Sequence, residues 1–204
     1  MRKMMTMVAL ACAVGAASAR SVAQTLPDSV TVDDLRSKLL RLPYYGVFDF
    51  LSFRYEKGTV TLSGYAYHPM LKEDAERAVK QVARVDQVVN KIEELPMSPM
   101  DDDLRWRTYY AIYSDPFLSR YAPGGGMLWG HRHRVPLGLF GSAGRFPGTE
   151  PVGNYPIMII VKNGRITLMG EVDSASDKTM AEMKARGVPG AFGVENELTV
   201  ELRK

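Results

Sequence analysis

Cysteine is almost missing from this chain. Cys12 is the only one in 204 residues. An intramolecular disulfide and a Cys-rich zinc site are therefore excluded. Histidine is scarce as well, at three residues. Neither charge sign dominates, since 26 Lys and Arg face 23 Asp and Glu. A chain held to nucleic acid by a global basic field is thereby excluded. Catalytic signatures are lacking too. Phe140-Gly141-Ser142-Ala143-Gly144 has Phe where a nucleophile elbow needs its first Gly. Gly124-Gly125-Gly126 has Trp129 where a dinucleotide loop needs its third spaced Gly, and no P-loop lysine is present. With 46% hydrophobic and 24% charged residues, the chain is not disordered throughout, and its length suits one domain or two small ones.

The N-terminus has the pattern of a secretory signal peptide. Arg2 and Lys3 form a positive start, and Met4 to Ala17 is apolar or small. Ala17-Ser18-Ala19 and Ser21-Val22-Ala23 are two candidate cleavage sites. The apolar run falls short of the roughly 20 residues of a membrane-spanning helix. A lipoprotein signal around Cys12 is the alternative, although Ala9 stands where such a signal prefers Leu. Residues 1–23 are thus read as a signal peptide of a periplasmic or secreted protein. Its removal leaves a net charge of +1, or 0 after the second site.

Beyond residue 23 the chain carries an internal repeat. Gly58-Thr59-Val60-Thr61-Leu62-Ser63-Gly64 matches Gly164-Arg165-Ile166-Thr167-Leu168-Met169-Gly170. The same spacing pairs Lys72 with Lys178, Glu76 with Glu182, and Asn90 with Asn196, giving ten identities over 33 positions without a gap. Such self-similarity marks a duplicated folding unit. Leu51, Phe53 and Tyr55 alternate with their neighbours as in a half-buried strand, and Ile157, Ile159 and Val161 take the same places. Asn163-Gly164 and Lys57-Gly58 supply hairpin turns. Leu71, Ala75, Ala78 and Val82 recur at helical spacing after Pro69, and Ser174 to Asp177 resembles a capping box. Leu35, Leu39 and Leu42 mark a helix in front of the first unit, and Asp101-Asp102-Asp103 opens one in front of the second.

The expected fold is α+β: two repeated αββαβ units, each a three-stranded mixed sheet with two helices on one face and its other face wet. The expected divisions are a first domain at 24–96 and a second at 97–204. The second carries a Gly/Pro-rich insertion at 123–154, expected to be irregular and removable. Asn90 and Asn196 are expected to bond turn backbone at the strand start, and the repeated glycines to serve hairpin geometry and close helix approach.

The G-x-V-x-L-x-G strand with a closing V-x-N strand resembles the BON domain family. Its carriers are Gly58, Val60, Leu62, Gly64, Val88 and Asn90, then Gly164, Ile166, Leu168, Gly170, Val194 and Asn196. Gly190-Ala191-Phe192-Gly193-Val194 matches the family's glycine turn, which the first unit lacks at Arg84-Val85-Asp86-Gln87-Val88. The resemblance implies a non-enzymatic exported protein similar to the osmotically inducible periplasmic proteins. It also implies a role in envelope integrity and phospholipid binding.

One segment stands out for binding. Residues 104–149 hold six Arg against a single acid, Asp115, and nine of the 19 aromatics. Trp129, Arg132 and Arg134 are the lipid-binding candidates, because Arg beside Trp suits a headgroup boundary. The plain alternative for these three is a loop with no site. For Trp106, Tyr109, Tyr110 and Tyr113 the plain alternative is a helix packing on its sheet. His131 and His133, with His68 as the third histidine, make a poor metal set because the adjacent arginines repel a cation. No catalytic residue, metal or cofactor is expected. The expected partners are an anionic phospholipid surface or an envelope protein, with no nucleic acid. A chaperone-like or scaffold module binding proteins through sheet edges or the insertion is the alternative function.

Overall fold

The computed structural model of the protein describes residues 28–123 and 150–201. The first unit runs α1 (Asp28–Leu40), β1 (Phe50–Glu56), β2 (Thr59–Ala66), α2 (Pro69–Val79) and β3 (Gln87–Glu94). The second runs α3 (Pro99–Tyr113), β4 (Ile157–Lys162), β5 (Arg165–Val172) and α4 (Ala175–Arg186). Its closing strand comes in two pieces, β6 (Gly193–Asn196) and β7 (Thr199–Val200), and a short 3-10 helix, Leu118–Tyr121, follows α3. In each unit the first two strands pair antiparallel, and the second pairs parallel with the closing strand. Parallel neighbours need a long crossover, which α2 and α4 provide. The break between β6 and β7 leaves the ladder working, since Glu197 N–H still donates to Leu168 C=O at 2.8 Å.

Local chemistry sets the element ends. Lys57-Gly58 and Asn163-Gly164 all take positive φ, as a tight hairpin requires. Pro69 opens α2, while Ser98 and Ser174 cap α3 and α4 by accepting from Asp101 N–H and Asp177 N–H. Gly64 and Gly170 differ from expectation in what they approach. A Cβ there would lie 2.0 Å from Phe50 O and 2.1 Å from Pro156 O, so they admit the neighbouring strand's backbone rather than a helix.

Each unit has its own core. Leu35, Leu39, Val60, Leu62, Leu71 and Ile92 fill the first; Ile112, Tyr113, Ile157, Ile159, Ile166 and Leu168 fill the second. The front helices sit differently. α3 packs against both α4 and β4, whereas α1 packs against α2. Consequently Ile157, Ile159 and Val161 are fully buried, while their repeat partners Leu51, Phe53 and Tyr55 are only half-buried. The expectation of one wet face per sheet fails at β4. Met158 and Ile160 point away from the helices and are nonetheless buried. The run Ile157-Met158-Ile159-Ile160-Val161 is apolar on both parities, the mark of a strand covered on both faces. Met158 joins the first unit's core, where Tyr45 Oη–H donates to its Sδ at 3.6 Å, and Lys162 pairs with Glu93 across the units.

The joint is built by the link between α1 and β1. Val47 C=O accepts from Ile159 N–H at 2.7 Å, so this link lies along the edge of β4. Val47 N–H donates to Pro151 C=O, and Gly153 N–H donates to Tyr45 C=O. Val47 and Phe48 thereby enter the second unit's core, although they belong to the first unit's sequence. This corrects the expected insertion. Residues 150–154 are part of the folded joint, because their backbone groups pair with the 45–47 link; residues 124–149 lie outside the described residues.

Phe48 is 2% exposed and meets the rings of Trp106, Tyr109 and Tyr67 edge-on. Phe48→Ala should therefore cost about 3–5 kcal/mol, the range for a fully buried Phe. Urea unfolding followed by Trp fluorescence measures it. A loss below about 1 kcal/mol would show that Phe48 is not part of the second core.

Candidate functional site

The repeated polar residues form one structural device. Asn90 Nδ2–H donates to Lys72 C=O at 2.9 Å and to Glu76 Oε2 at 3.2 Å, while its Oδ1 accepts from Ile92 N–H. Asn196 repeats this with Lys178 C=O, Glu182 Oε2 and Leu198 N–H. The amides thus tie the closing strand to α2 and α4, not to turn backbone as expected. The bonds from Lys80 and Asn90 hold the Glu76 carboxyl below its ordinary pKa, and those from Asn196 and Arg186 do so for Glu182. These groups are committed to the fold.

A second polar cluster sits at the joint. Arg105 is 1% exposed, pairs with Asp102, donates from Nη2 to Val161 C=O at 2.7 Å and stacks over Tyr67 at 4.7 Å. Its Nε has no partner among the described residues. Asp49 is buried beside it, and accepts from Tyr67 N–H at 2.7 Å and Gly46 N–H at 3.0 Å. Charge counting alone does not reveal this cluster. Its only sequence signal is an Arg three residues after Asp102 on a helix face that otherwise packs inward.

Several of the arginines expected to make a basic surface are paired with acids, one of them buried. Besides Arg105, Arg107 pairs with Asp103, and Arg120 pairs with Asp177 at 2.5 Å. Asp177 also accepts from Ser174 and from Tyr121 Oη–H. Burial pulls the Asp177 pKa up, but the bonds from Ser174, Tyr121 and Arg120 outweigh it and leave it lowered. Three of the four aromatics of this helix pack as the plainer reading expected, while Tyr110 is exposed and stacks on Trp106. Tyr113 is fully buried and its Oη–H donates to Ile157 C=O, Tyr109 is 8% exposed, and Trp106 is packed against the second core. Trp129, Arg132 and Arg134, with His131 and His133, lie outside the described residues. The third histidine, His68, sits 3.8 Å from Glu150 Oε2 and beside the rings of Tyr44 and Tyr67. Among the described residues, no three His, Cys, Asp or Glu side chains converge as a metal site.

Among the described residues, one feature open to a ligand is a groove of about 1080 Å³ between the units. Its first wall is β1 with Leu39 and Leu40 of α1 above it. Residues of both parities of β1, Phe50 and Ser52 as well as Leu51, Phe53 and Tyr55, line it, so the groove follows the strand's edge. Its second wall is the helix-free face of the second sheet, with Met169, Glu171, Glu197 and Glu201. Those three glutamates are exposed and make no ion pair among the described residues. Neither wall was singled out from sequence, because the groove arises from how the two units meet.

The model of the BON domain family matches residues 22–96 and 145–201. No curated protein matches the chain. Two solved structures of CdsD, a structural protein of the type III secretion system of Chlamydia trachomatis, are similar at 13% identity. One covers 85% of this chain and 93% of its own at a TM-score of 0.26. The other, the C-terminal domain, covers 84% and 97% at 0.25. Likeness at that level carries no argument about this chain.

The buried carboxylate at the joint sets a pH dependence. Burial pushes the Asp49 pKa up to about 7, against the opposing pull of the Tyr67 and Gly46 N–H groups and of Arg105. Between the ordinary carboxyl range and about 7, the folded protein holds a proton that the unfolded chain has lost. Stability from this group is therefore full below about pH 4 and is lost as pH rises through about 7. Wild-type protein should lose roughly 2–4 kcal/mol over that window, and Asp49→Asn should flatten the loss. Urea unfolding at pH 5, 6, 7 and 8 reads it. A wild-type slope equal to that of Asp49→Asn would show that Asp49 is ionised throughout.

Proposed function

The chain belongs to the BON domain family, and on that premise we propose that it is an exported, non-catalytic envelope protein that attaches to anionic phospholipid. BON domains are binding modules of periplasmic and envelope proteins. No described helix is long and apolar enough to cross a membrane, so attachment would be peripheral. The observation that carries the lipid reading is the distribution of charge. Arg105, Arg107 and Arg120 are paired within the fold, and the remaining basic excess of residues 104–149 falls on Arg132, Arg134 and Arg145. No acid lies between Asp115 and Glu150 to offset them, and Trp129 stands three residues before Arg132. In this reading Arg132 and Arg134 meet headgroup phosphate and Trp129 sits at the interface. Each basic residue contributes about 1 kcal/mol near a charged surface, so attachment is reversible and weakened by salt.

A scaffold that binds envelope proteins is the second reading, and the observation that favours it is the unfilled groove along β1. Vesicle flotation separates the two. The protein should float with phosphatidylglycerol vesicles at 50 mM salt, less so at 300 mM, and hardly at all with neutral phosphatidylcholine. Arg132→Ser with Arg134→Ser should cut flotation severalfold without changing the circular dichroism spectrum. If flotation with the double variant is unchanged, those residues are not the lipid contact. If wild-type protein ignores anionic vesicles at low salt, the lipid reading falls and the scaffold is the better account.

A further inference from the structure

We propose that the β1 edge is a receptor for an extended polypeptide whose side chains alternate between apolar and basic. Such a site is separate from lipid attachment and gives the protein-binding reading a defined place and ligand. The repeat supplies the first observation. Phe53 is the counterpart of Ile159, and Ile159 N–H points away from its own sheet to donate to Val47 C=O at 2.7 Å. By the same parity, the N–H and C=O groups of Leu51, Phe53 and Tyr55 point away from β2. Leu51 N–H is taken by the Tyr45 hydroxyl. Phe53 and Tyr55 have no backbone partner beyond β2 among the described residues. The second unit's edge strand is thus paired by an extended link, while among the described residues the equivalent edge of the first is open and lies in the groove.

An open strand edge is a template for another strand. The two walls specify its side chains. On the helix side, an added strand meets Leu39, Leu40 and half-buried Phe53, with Arg36 of α1 on the same wall, so the residues it turns to that side must be apolar rather than cationic. On the other side it meets the helix-free face of the second sheet, where Glu171, Glu197 and Glu201 are exposed and unpaired among the described residues. Successive residues of a strand point to opposite sides, so the ligand must present apolar and cationic residues in strict alternation. β1 is seven residues long and sets the length of pairing. Its shelf is apolar where the second unit's counterparts are already covered, so the groove offers both backbone partners and unburied apolar area. The acidic wall disfavours an anionic lipid headgroup in this place, and it separates this site from the proposed membrane contact.

Fluorescence anisotropy with a labelled, end-blocked seven-residue peptide alternating Val and Lys tests the site. Three controls are needed: the same composition in two blocks, a Val/Glu alternation, and the Val/Lys peptide with its central residue replaced by Pro. The Val/Lys alternation should bind at least tenfold more tightly than any control. Glu171→Lys with Glu197→Lys, both exposed positions, should weaken it tenfold or more while circular dichroism is unchanged. Hydrogen exchange gives the direct readout, since the Phe53 and Tyr55 amides should slow on peptide addition while those of β4 do not change. Equal binding of the block peptide, or unchanged exchange at Phe53 and Tyr55, would overturn the proposal. So would sedimentation showing that the protein dimerises through β1, because the edge would then belong to a second copy. Flotation on vesicles is decided separately, so failure of the peptide leaves the lipid reading standing.

Discussion

The hydrogen bond between Ile159 N–H and Val47 C=O holds the place on which the whole arrangement turns. β4 is buried on both faces, so its outer edge cannot turn to water for hydrogen bonds. The link between α1 and β1 meets that need. In doing so it carries Phe48 into the second core and places Tyr45 beside Met158 in the first. Each unit thereby completes the other, and a cut between them would expose apolar surface on both sides. Buried Asp49 sits at the same joint, with the Arg105–Asp102 pair nearby. The Asp49 carboxylate satisfies the Gly46 and Tyr67 N–H groups.

Duplication produced two copies of one fold and then let their edges diverge. The shared parts are those that any such unit needs: the positive-φ hairpin, the glycine that admits the neighbouring carbonyl, and the Asn–Glu bond that ties the last strand to its helix. The divergent part is the front strand. Ile157, Ile159 and Val161 are shut in by α3 and by the link, while Leu51, Phe53 and Tyr55 are left half-covered because α1 leans on α2. The first unit's own link is used on β4, and no described segment pairs with the outer edge of β1.

Short-range features were legible from the sequence because they rest on short-range physics. The Asn163-Gly164 turn, the Ser174 cap and the helix after Pro69 each depend on a few adjacent residues. The repeat supplied the order of elements and, through Val60, Leu62, Ile166 and Leu168, the inner faces. The features that stayed hidden depend on residues far apart in the chain. Nothing near Arg105 announces that it will lie under Tyr67 and reach Val161. The unbroken apolar run of β4 did carry the signal of two-sided burial, but the alternation of its repeat partner argued for a wet face. The insertion's end was misplaced for a related reason: composition marks Pro151 and Gly153 as loop, and only pairing with Tyr45 and Val47 makes them part of the fold. Trp129, Arg132 and Arg134 gain nothing from the fold, since they lie outside the described residues.

Charge is sorted in space in a way that net charge conceals. The chain as a whole carries a formal charge of only +3, yet a basic excess falls on residues 104–149 and three exposed glutamates without an ion pair among the described residues share one sheet face. The placement of Glu171, Glu197 and Glu201 comes from the strict alternation of β5 and the closing strand, which put every second residue on the side away from α4. Such a face is what an isolated sheet shows to water. In this protein it is also a wall, because the joint at β4 brings β1 opposite it. A membrane-facing role for this face would set three carboxylates against headgroup phosphate, and repulsion between like charges opposes that orientation. The two proposed contacts therefore cannot share a surface. In the proposed arrangement the basic segment meets the anionic surface, and the acidic wall of the groove is left to the cationic side chains of a polypeptide.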